Sequence, residues 1–314
     1  MRILTFDGGG VRGAFSARLI ERVEQERPGF VDSVELLAGT SVGSFLALLL
    51  AKGLKPSEIT DIFANRGGEI FKDRGWLDSL SGLDELIQAD FDNKALYGVL
   101  KEKLGDCTLA DLPKKVLVPA FDLDNQDEDS KANATRRYGS RFWKPKFMHN
   151  FEGPGCDGHL LAVDVAMRSS AAPTYFPSYQ GYVDGGVVDN NPSMSALAKA
   201  VKVTGLITNH QLLSVGTGFN PHYVPGAEHD WGYKQWLEGK RLINMLFDGM
   251  ISVPHYQCVQ LLDSQYRRLD VDLDEPIDLA DVDKIPELLA IADGVDLTDT
   301  LAWLDNTWGL GVSA

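Results

Sequence analysis

Residues 34–52 read VELLAGTSVGSFLALLLAK, so that a short apolar run, a glycine-bounded turn and a longer apolar run follow one another. Val34 to Ala38 is typical of a buried strand, because it is brief and mostly aliphatic. Val42 to Lys52 is apolar on every side, which is typical of a helix enclosed by other elements. A buried strand that turns directly into a buried helix predicts an α/β arrangement.

Similar short apolar runs occur along the rest of the chain. They predict further buried strands at Ile3 to Phe6, Val116 to Phe121 and Leu212 to Val215. A helix is predicted at Val11 to Glu26, where apolar residues recur on one side. Strands that are buried on both faces belong to parallel sheets covered by helices. We therefore predict fold class α/β, with three α/β/α layers and a mainly parallel central sheet.

No linker, repeat or low-complexity tract divides the sequence. A single domain over residues 1–314 is therefore expected, with a core over about 1–218 and a helical completion over about 219–314. The helices predicted in that completion are Trp231 to Met250, Val253 to Leu262, Ile285 to Ala292 and Leu297 to Leu304.

The balance of charges limits the partners of the chain. The 314 residues include 30 Lys and Arg against 45 Asp and Glu, which gives a formal net charge of −15. So acidic a chain is not expected to bind nucleic acid, because phosphate backbones require a surplus of Lys and Arg. Three cysteines, Cys107, Cys156 and Cys258, allow one disulfide at most, which is typical of a reduced compartment.

The beginning of the chain bears on its location. It runs into a strand and a glycine turn, without the apolar stretch and small-residue cleavage site of a signal peptide. The longest apolar run, Phe45 to Ala51, is far shorter than the roughly 20 residues that span a bilayer. We therefore expect a cytoplasmic protein, either free or peripheral to a membrane.

The first glycine-rich turn is Asp7-Gly8-Gly9-Gly10-Val11-Arg12-Gly13, between a predicted strand and a predicted helix. Backbone N–H groups in such a turn point outward together at a helix N-terminus, where they stabilise an anion. The same residues match G-x-G-x-x-G, so the dinucleotide site of an oxidoreductase is an alternative. That site needs an acidic residue at the end of the second strand, whereas Glu35 lies at its beginning. An anion hole without a nucleotide fits these residues better.

The second turn, Gly39-Thr40-Ser41-Val42-Gly43, has the G-x-S-x-G pattern between a strand and a helix. In that setting the glycines relieve crowding at a sharp turn, and the serine hydroxyl stands above the sheet. Ser41 is therefore a candidate nucleophile. The alternative is that Ser41 only caps the following helix, as serine often does.

A serine nucleophile needs a base, and the sequence offers two kinds. In α/β-hydrolases an acidic residue and then a histidine follow the serine. The histidines considered downstream of Ser41 are His210, His222, His229 and His255. Only 38 residues precede Gly39, however, which is too few for the several strands that precede the nucleophile in that fold. The other candidate is Asp184, which leads the turn Gly185-Gly186 and could otherwise form an Asx-turn.

Four motifs, taken in order, resemble the signature of the patatin-like phospholipases. They are Asp7-Gly8-Gly9-Gly10-Val11-Arg12-Gly13, Gly39-Thr40-Ser41-Val42-Gly43, Ser169-Ser170-Ala171-Ala172-Pro173-Thr174-Tyr175-Phe176 and Asp184-Gly185-Gly186. The resemblance extends to Asn190-Asn191-Pro192, to Ser214-Val215-Gly216-Thr217-Gly218 and to the stretch from Trp231 to Cys258. It therefore covers most of the chain.

The resemblance implies a lipid acyl hydrolase of the phospholipase A type, with a Ser-Asp dyad and neither cofactor nor metal. It makes Ser41 the nucleophile and Asp184 the base. It assigns the oxyanion-hole N–H groups to Gly8, Gly9 and Gly10, and it places Arg12 where it would support the loop or meet a phosphate. The expected substrate is a phospholipid or another acyl ester. A catalytically silent, lipid- or nucleotide-sensing relative is the alternative.

Residues 130–151 combine aromatic side chains with cations and contain no acidic residue. Such a mixture predicts peripheral contact with a membrane through its phosphates and interface. The alternative is a strand or hairpin whose basic face pairs with acidic neighbours. The cations are Lys131, Arg136, Arg137, Arg141, Lys144 and Lys146.

Two further patterns have simpler interpretations. The acidic run from Asp122 to Asp129 suggests calcium, but Gln126 and Asp127 depart from the EF-hand pattern, so a solvated loop is favoured. A set of apolar residues at near-helical spacing predicts core packing rather than a lid that touches lipid. That set is Trp231, Trp236, Leu237, Ile243, Leu246 and Met250.

Overall fold

The computed structural model describes residues 1–71, 93–125, 141–226, 230–238 and 241–311. Within these ranges the strands are β1 (Arg2–Phe6), β2 (Leu36–Gly39), β3 (Lys115–Asp122), β4 (Lys144–His149), β5 (Tyr182–Asp184), β6 (Gln211–Val215) and β7 (Tyr266–Leu269). They form one sheet in the order β4-β3-β2-β1-β6-β7, and β5 pairs with β3. The pairs among β3, β2, β1, β6 and β7 are parallel, whereas β4 and β5 run antiparallel to β3. The predicted α/β class is confirmed.

The helices lie on both sides of this sheet. They are α1 (Gly13–Glu26), α2 (Phe30–Ser33), α3 (Val42–Lys52), α4 (Pro56–Ile70), α5 (Asn93–Leu104), α6 (Ala162–Ser169), α7 (Gly186–Asp189), α8 (Ser193–Thr204), α9 (Tyr233–Leu237), α10 (Arg241–Leu262), α11 (Ile285–Gly294) and α12 (Thr298–Trp303). A short 3-10 turn, Gly10–Arg12, precedes α1.

Alternation along the strands divides the core between two layers. Leu4 and Phe6 of β1 point into a large cluster that includes α1, α3, α4 and α11. Ile3 points to the opposite face, where it joins Leu197 of α8 and Cys258 of α10. Both faces of the central strands are therefore covered, which explains why their sequences are continuous apolar runs. The predicted three-layer arrangement is confirmed.

The register of β3 brings Asp184 close to the turn that holds Ser41. Ala120 pairs with Lys146 of β4 on one side and with Asp184 of β5 on the other. The first half of β3, from Lys115 to Leu117, pairs with β2 on that second side. Strand β5 therefore continues the sheet beyond the end of β2, where the chain turns into Ser41.

The C-terminal part differs from the prediction in two ways. The two helices predicted around Val253 are one helix, α10, which continues through Pro254. Because Pro254 has no N–H, the carbonyl of Met250 is left without a helical donor. It accepts the backbone N–H of Asn191 instead, at 3.2 Å. Strand β7 was also not anticipated, and it adds a parallel strand beside β6.

The prediction that apolar residues of 231–250 pack in the core is wrong. Leu237 and Leu246 are exposed, and the other members of that set are only partly buried. In α10 the buried positions are Phe247, Pro254, Cys258 and Leu262, which form a single stripe. The opposite side of the helix faces outward.

The basic segment 130–151 is described only from residue 141 onward. Residues 126–140, which contain part of the acidic run and half of the cations, lie outside the described residues, as does His229. In the described half, β4 pairs with β3, Arg141 forms an ion pair with Asp124, and Lys146 Nζ lies 2.8 Å from Asp157 Oδ1. These contacts agree with the hairpin alternative, and the membrane contact stays a prediction. Among the described helices, none has the length and apolar character needed to cross a bilayer.

Candidate functional site

Ser41 lies in a strained turn between β2 and α3. Its φ of 53° and ψ of −127° are unusual for a residue with a side chain. Its hydroxyl makes no capping hydrogen bond to α3, so the capping alternative does not account for it. The side chain of Ser41 instead shares the cavity with the Asp184 carboxyl and lowers its pKa, and the backbone N–H of Ser41 donates to Ser169 Oγ at 3.0 Å.

The glycines on either side of Ser41 permit this turn because other backbone atoms crowd them. A Cβ at Gly39 would lie 2.0 Å from the carbonyl oxygen of Gly43. A Cβ at Gly43 would lie 2.5 Å from the carbonyl oxygen of Phe6, at the end of β1. No side chain fits at either position, so the G-x-S-x-G pattern follows from close packing of the turn against β1.

Asp184 is almost fully buried, with 1% of its surface exposed. One carboxylate oxygen, Oδ1, accepts the backbone N–H of Gly186 at 2.7 Å. Burial raises the pKa of Asp184 to about 7, while the hydrogen bonds from Ser41 and Gly186 partly oppose that rise. A carboxylate with such a pKa can accept a proton near neutral pH.

The glycine loop after β1 passes directly beside Ser41. A Cβ at Gly8 would lie 3.2 Å from Ser41 Cβ. The prediction that Gly8 offers its N–H to an oxyanion is wrong for this conformation, because that N–H donates to the carbonyl of Asn190 at 3.0 Å. Among the described residues, no hydrogen-bond acceptor is found for the N–H groups of Gly9 and Gly10. Two predicted donors therefore remain beside Ser41.

The dinucleotide alternative has no support at this loop. Glu35, the only acid considered for the ribose, accepts the backbone N–H of Arg2 at 2.8 Å. Arg2 begins β1, whereas the glycine loop follows Phe6 at its other end. The carboxylate is thus at the wrong end of the sheet for that role.

An ion pair that was not anticipated anchors the beginning of the loop. Arg268 of β7 donates to both carboxylate oxygens of Asp7, at 3.0 and 2.5 Å, and also to Ser214 Oγ at 2.8 Å. It pairs as well with Asp270 Oδ2 at 2.7 Å. Burial raises the pKa of Asp7 and the attraction of Arg268 opposes this. Sequence motifs gave no signal for Arg268, because it comes from a distant strand.

Arg12 is a second buried cation beside the loop. Its Nη1 donates to the carbonyl of Gly218 at 2.8 Å, and only 5% of the residue is exposed. Its buried Nε has no hydrogen-bond partner in the described part of the chain. Burial lowers the pKa of Arg12, while Asp248 and other nearby carboxylates oppose the change. The guanidinium retains an unused donor next to the cavity that it lines.

A cavity opens onto Ser41, Asp184 and the glycine loop. Most of its other walls are apolar, so it can hold a hydrocarbon chain beside a hydroxyl and a carboxylate. The apolar lining consists of Val42, Phe45, Phe71, Leu96, Ala172, Tyr175, Phe176, Phe247 and Leu279.

None of the described histidines lines this cavity. His210 Nδ1 lies 3.2 Å from the N-terminal amine, His222 Nδ1 lies 3.2 Å from Asp248, and His255 Nδ1 lies 3.0 Å from the Tyr266 hydroxyl. In the described part of the chain, no group of three or more His, Cys, Asp or Glu side chains is arranged to hold a metal. Among the described residues, Asp184 is the only candidate base that lines the cavity with Ser41.

A family model described as "Patatin-like phospholipase" matches residues 4–197, which include all four motifs. The chain belongs to the patatin-like phospholipase family. The predicted resemblance is thereby confirmed, and the three-layer sheet is the patatin fold.

Individual relatives of this patatin-like chain come from several bacteria. It is 34% identical to "Protein teg" of Priestia megaterium over 242 residues, which are 74% of this chain and 67% of the relative. It is 30% identical to a "cGAMP-activated phospholipase" of Pseudomonas aeruginosa over 280 residues, which are 85% of this chain and 77% of the relative. A solved structure, VipD from Legionella pneumophila, is 15% identical with a TM-score of 0.43, and the match covers 93% of this chain and 67% of that one.

Proposed function

We propose that the protein is a lipid acyl hydrolase that cleaves acyl esters of glycerophospholipids. The observation that carries the proposal is that Ser41 and the buried Asp184 line one largely apolar cavity, where Ser41 lowers the pKa of the Asp184 carboxyl. Similarity to relatives named phospholipases supports a lipid substrate. The intact pair argues against the alternative of a catalytically silent, lipid- or nucleotide-sensing protein.

The reaction follows from the positions of these two side chains. Ser41 Oγ attacks the ester carbonyl carbon while its proton passes to Asp184. The attack produces a tetrahedral intermediate whose former carbonyl oxygen is an oxyanion. The intermediate collapses, Asp184 returns the proton to the leaving alcohol, and an acyl-enzyme remains. Water then attacks the acyl carbon with Asp184 again as the base, which releases the fatty acid and restores Ser41.

The surroundings favour each step. Because burial raises its pKa to about 7, Asp184 can accept and return a proton near neutral pH. Gly9 and Gly10 supply free N–H groups for the oxyanion, and one such donor contributes about 3–4 kcal/mol to transition-state stabilisation in well-studied enzymes. The N-terminus of α3 lies beneath Ser41 and favours negative charge on its oxygen.

Arg12 favours substrates that carry a phosphate group. The Arg12 guanidinium lines the largely apolar cavity, and its charge is suited to an anionic group bound next to the acyl chain. The phosphodiester of a glycerophospholipid has that charge, and it lies a few bonds from the ester. We therefore expect phospholipids to be better substrates than neutral glycerides.

The proposal is tested by hydrolysis of p-nitrophenyl esters of different chain lengths and of defined phospholipids. Ser41→Ala and Asp184→Asn should each lose ester hydrolysis by at least about a thousandfold while remaining folded. Ser264→Ala and Asp274→Asn make the same chemical changes at exposed positions outside the cavity, and should retain wild-type rates. Turnover by purified Ser41→Ala protein at the wild-type rate would overturn the dyad, and an inactive wild type would favour the sensing alternative.

A further inference from the structure

The outward side of α10 is unusually apolar. Opposite the buried Phe247, Pro254 and Cys258 lies a row of exposed apolar side chains, which we call the α10 outer face. It extends over about 20 Å of helix, at a rise of about 1.5 Å per residue. Its members are Met245, Leu246, Val253, Tyr256 and Val259.

Charge is also missing from this side of the helix. All of α10 lies within the described residues, and between Met245 and Leu261 its only acidic or basic residue besides a histidine is Asp248. That carboxylate sits at the flank of the face, 3.2 Å from His222 Nδ1. A helix exposed to water normally carries charged side chains on its outer side. The α10 outer face therefore fits a surface other than water.

The same helix forms a wall of the cavity. Phe247, on the buried side of α10, lines the cavity together with Ser41. The preceding helix α9 also carries exposed Tyr233 and Leu237, together with the exposed Lys234. A hydrophobic layer lying on the α10 outer face would be about one helix diameter, ~10 Å, from the cavity.

We propose that the α10 outer face docks the protein on a zwitterionic lipid surface, from which acyl chains reach the cavity. This proposal rests on the proposed function. Aliphatic side chains insert below the headgroups, whereas Tyr256, Gln257 and Gln260 suit the interface itself. The face has no cations with which to select anionic lipids.

The net charge argues against the other occupants of this face. At −15, two copies of the chain repel each other, and an anionic bilayer repels each copy. Contact through apolar side chains should be nearly independent of salt, because it does not depend on charge. Contact through the basic segment 130–151 would instead require anionic lipid and weaken as salt rises. The two membrane contacts are therefore separable by experiment.

The test compares glutamate substitutions in the α10 outer face with a glutamate at an equally exposed valine elsewhere on the protein. Val253 in the α10 outer face is 53% exposed, and Val203 on α8 is 55% exposed. Wild type and Val203→Glu should float with phosphatidylcholine vesicles at both 50 and 500 mM salt. A Val253→Glu/Tyr256→Glu variant should lose at least tenfold in vesicle binding and in turnover of vesicle lipid, with unchanged turnover of a soluble short-chain p-nitrophenyl ester.

Flotation is repeated with Ser41→Ala protein, so that docking is scored without catalysis. If wild type hydrolyses no ester but Ser41→Ala still floats, the proposed function fails and the docking proposal stands. Equal flotation of the Val253→Glu/Tyr256→Glu and Val203→Glu proteins would overturn the docking proposal. So would binding restricted to anionic vesicles and lost at high salt, or a wild-type dimer in light scattering that Val253→Glu/Tyr256→Glu dissociates.

Discussion

Two buried carboxyl groups, Asp184 and Asp189, have raised pKa values. Burial raises the pKa of Asp184 and that of Asp189 to about 7 each. They differ in their surroundings, because Asp184 lines the cavity together with Ser41, whereas Asp189 is not part of the cavity lining. The proposed role in catalysis therefore belongs to Asp184 by position, not by its pKa.

Ionisation of the buried Asp184 should lower the free energy of unfolding, by an amount that depends on pH. Below about pH 4 the carboxyl is neutral in both states, so the cost is absent. As pH rises towards 7 the unfolded chain ionises first, and above 7 the full cost is reached, roughly 4 kcal/mol. We expect Asp184→Asn to be more stable than wild type in urea at pH 8, with the difference shrinking at pH 6 and closing near pH 4. The exposed control Asp274→Asn should show no such trend, and a difference that grows towards acid pH would contradict the prediction.

At the scale of elements, the site is assembled by tethers between segments that are distant in the chain. Arg268 of β7 donates hydrogen bonds to Asp7, which follows β1, and to Ser214 of β6, and so connects the two strands. The carbonyl of Asn190 holds Gly8, and Asn191 is held in turn by the carbonyl that Pro254 frees in α10. The glycine loop is therefore positioned from both sides.

Removal of Arg268 should destabilise the protein strongly. Arg268→Met would leave the Asp7 carboxylate buried without its partner, and such changes cost about 3–5 kcal/mol. Arg267→Met is the matched control, because Arg267 is adjacent and more exposed, and its contacts are Asp299 at 3.7 Å and a hydrogen bond to Thr300 Oγ1 at 3.3 Å, so its loss should cost less, about 1 kcal/mol. Thermal unfolding of both variants checks this, and equal melting temperatures would show that the buried pair contributes no more than the surface pair.

At the scale of the whole molecule, the excess of negative charge opposes compaction. A net charge of −15 on 314 residues repels itself across the folded surface. Several of the ion pairs lie at the surface, where each contributes little stability, so their screening by salt removes little. Salt should therefore reduce the repulsion more than it weakens the attractive pairs.

We expect the melting temperature to rise by about 2–4 °C between 10 and 300 mM NaCl, corresponding to about 1 kcal/mol. KCl should have the same effect at equal ionic strength, because screening does not depend on the identity of the monovalent ion. A melting temperature that falls as salt increases would mean that attractive pairs, not net repulsion, dominate the electrostatics of the fold.

Elements whose own residues are continuously apolar could be predicted from the sequence, whereas strands that form by pairing with distant segments could not. The limits of α3 were predicted at Val42 and Lys52, because continuous burial makes the whole segment apolar. Strands β1, β3 and β6 were predicted within one residue at each end for the same reason. Strand β7 was missed and β4 was anticipated only as an alternative, since Tyr266–Leu269 and Lys144–His149 contain several charged residues and become strands by pairing with β6 and β3.

The sequence by itself determined the α/β class, the family and the candidates Ser41 and Asp184, because these depend on local apolar runs and on motifs with fixed spacing. Only the tertiary structure decided that Asp184 lies beyond the end of β2, that Gly8 has already used its N–H, and that Arg268 holds Asp7. It also decided that α10 turns an apolar side outward. These features depend on pairing between distant segments, which local sequence patterns do not encode.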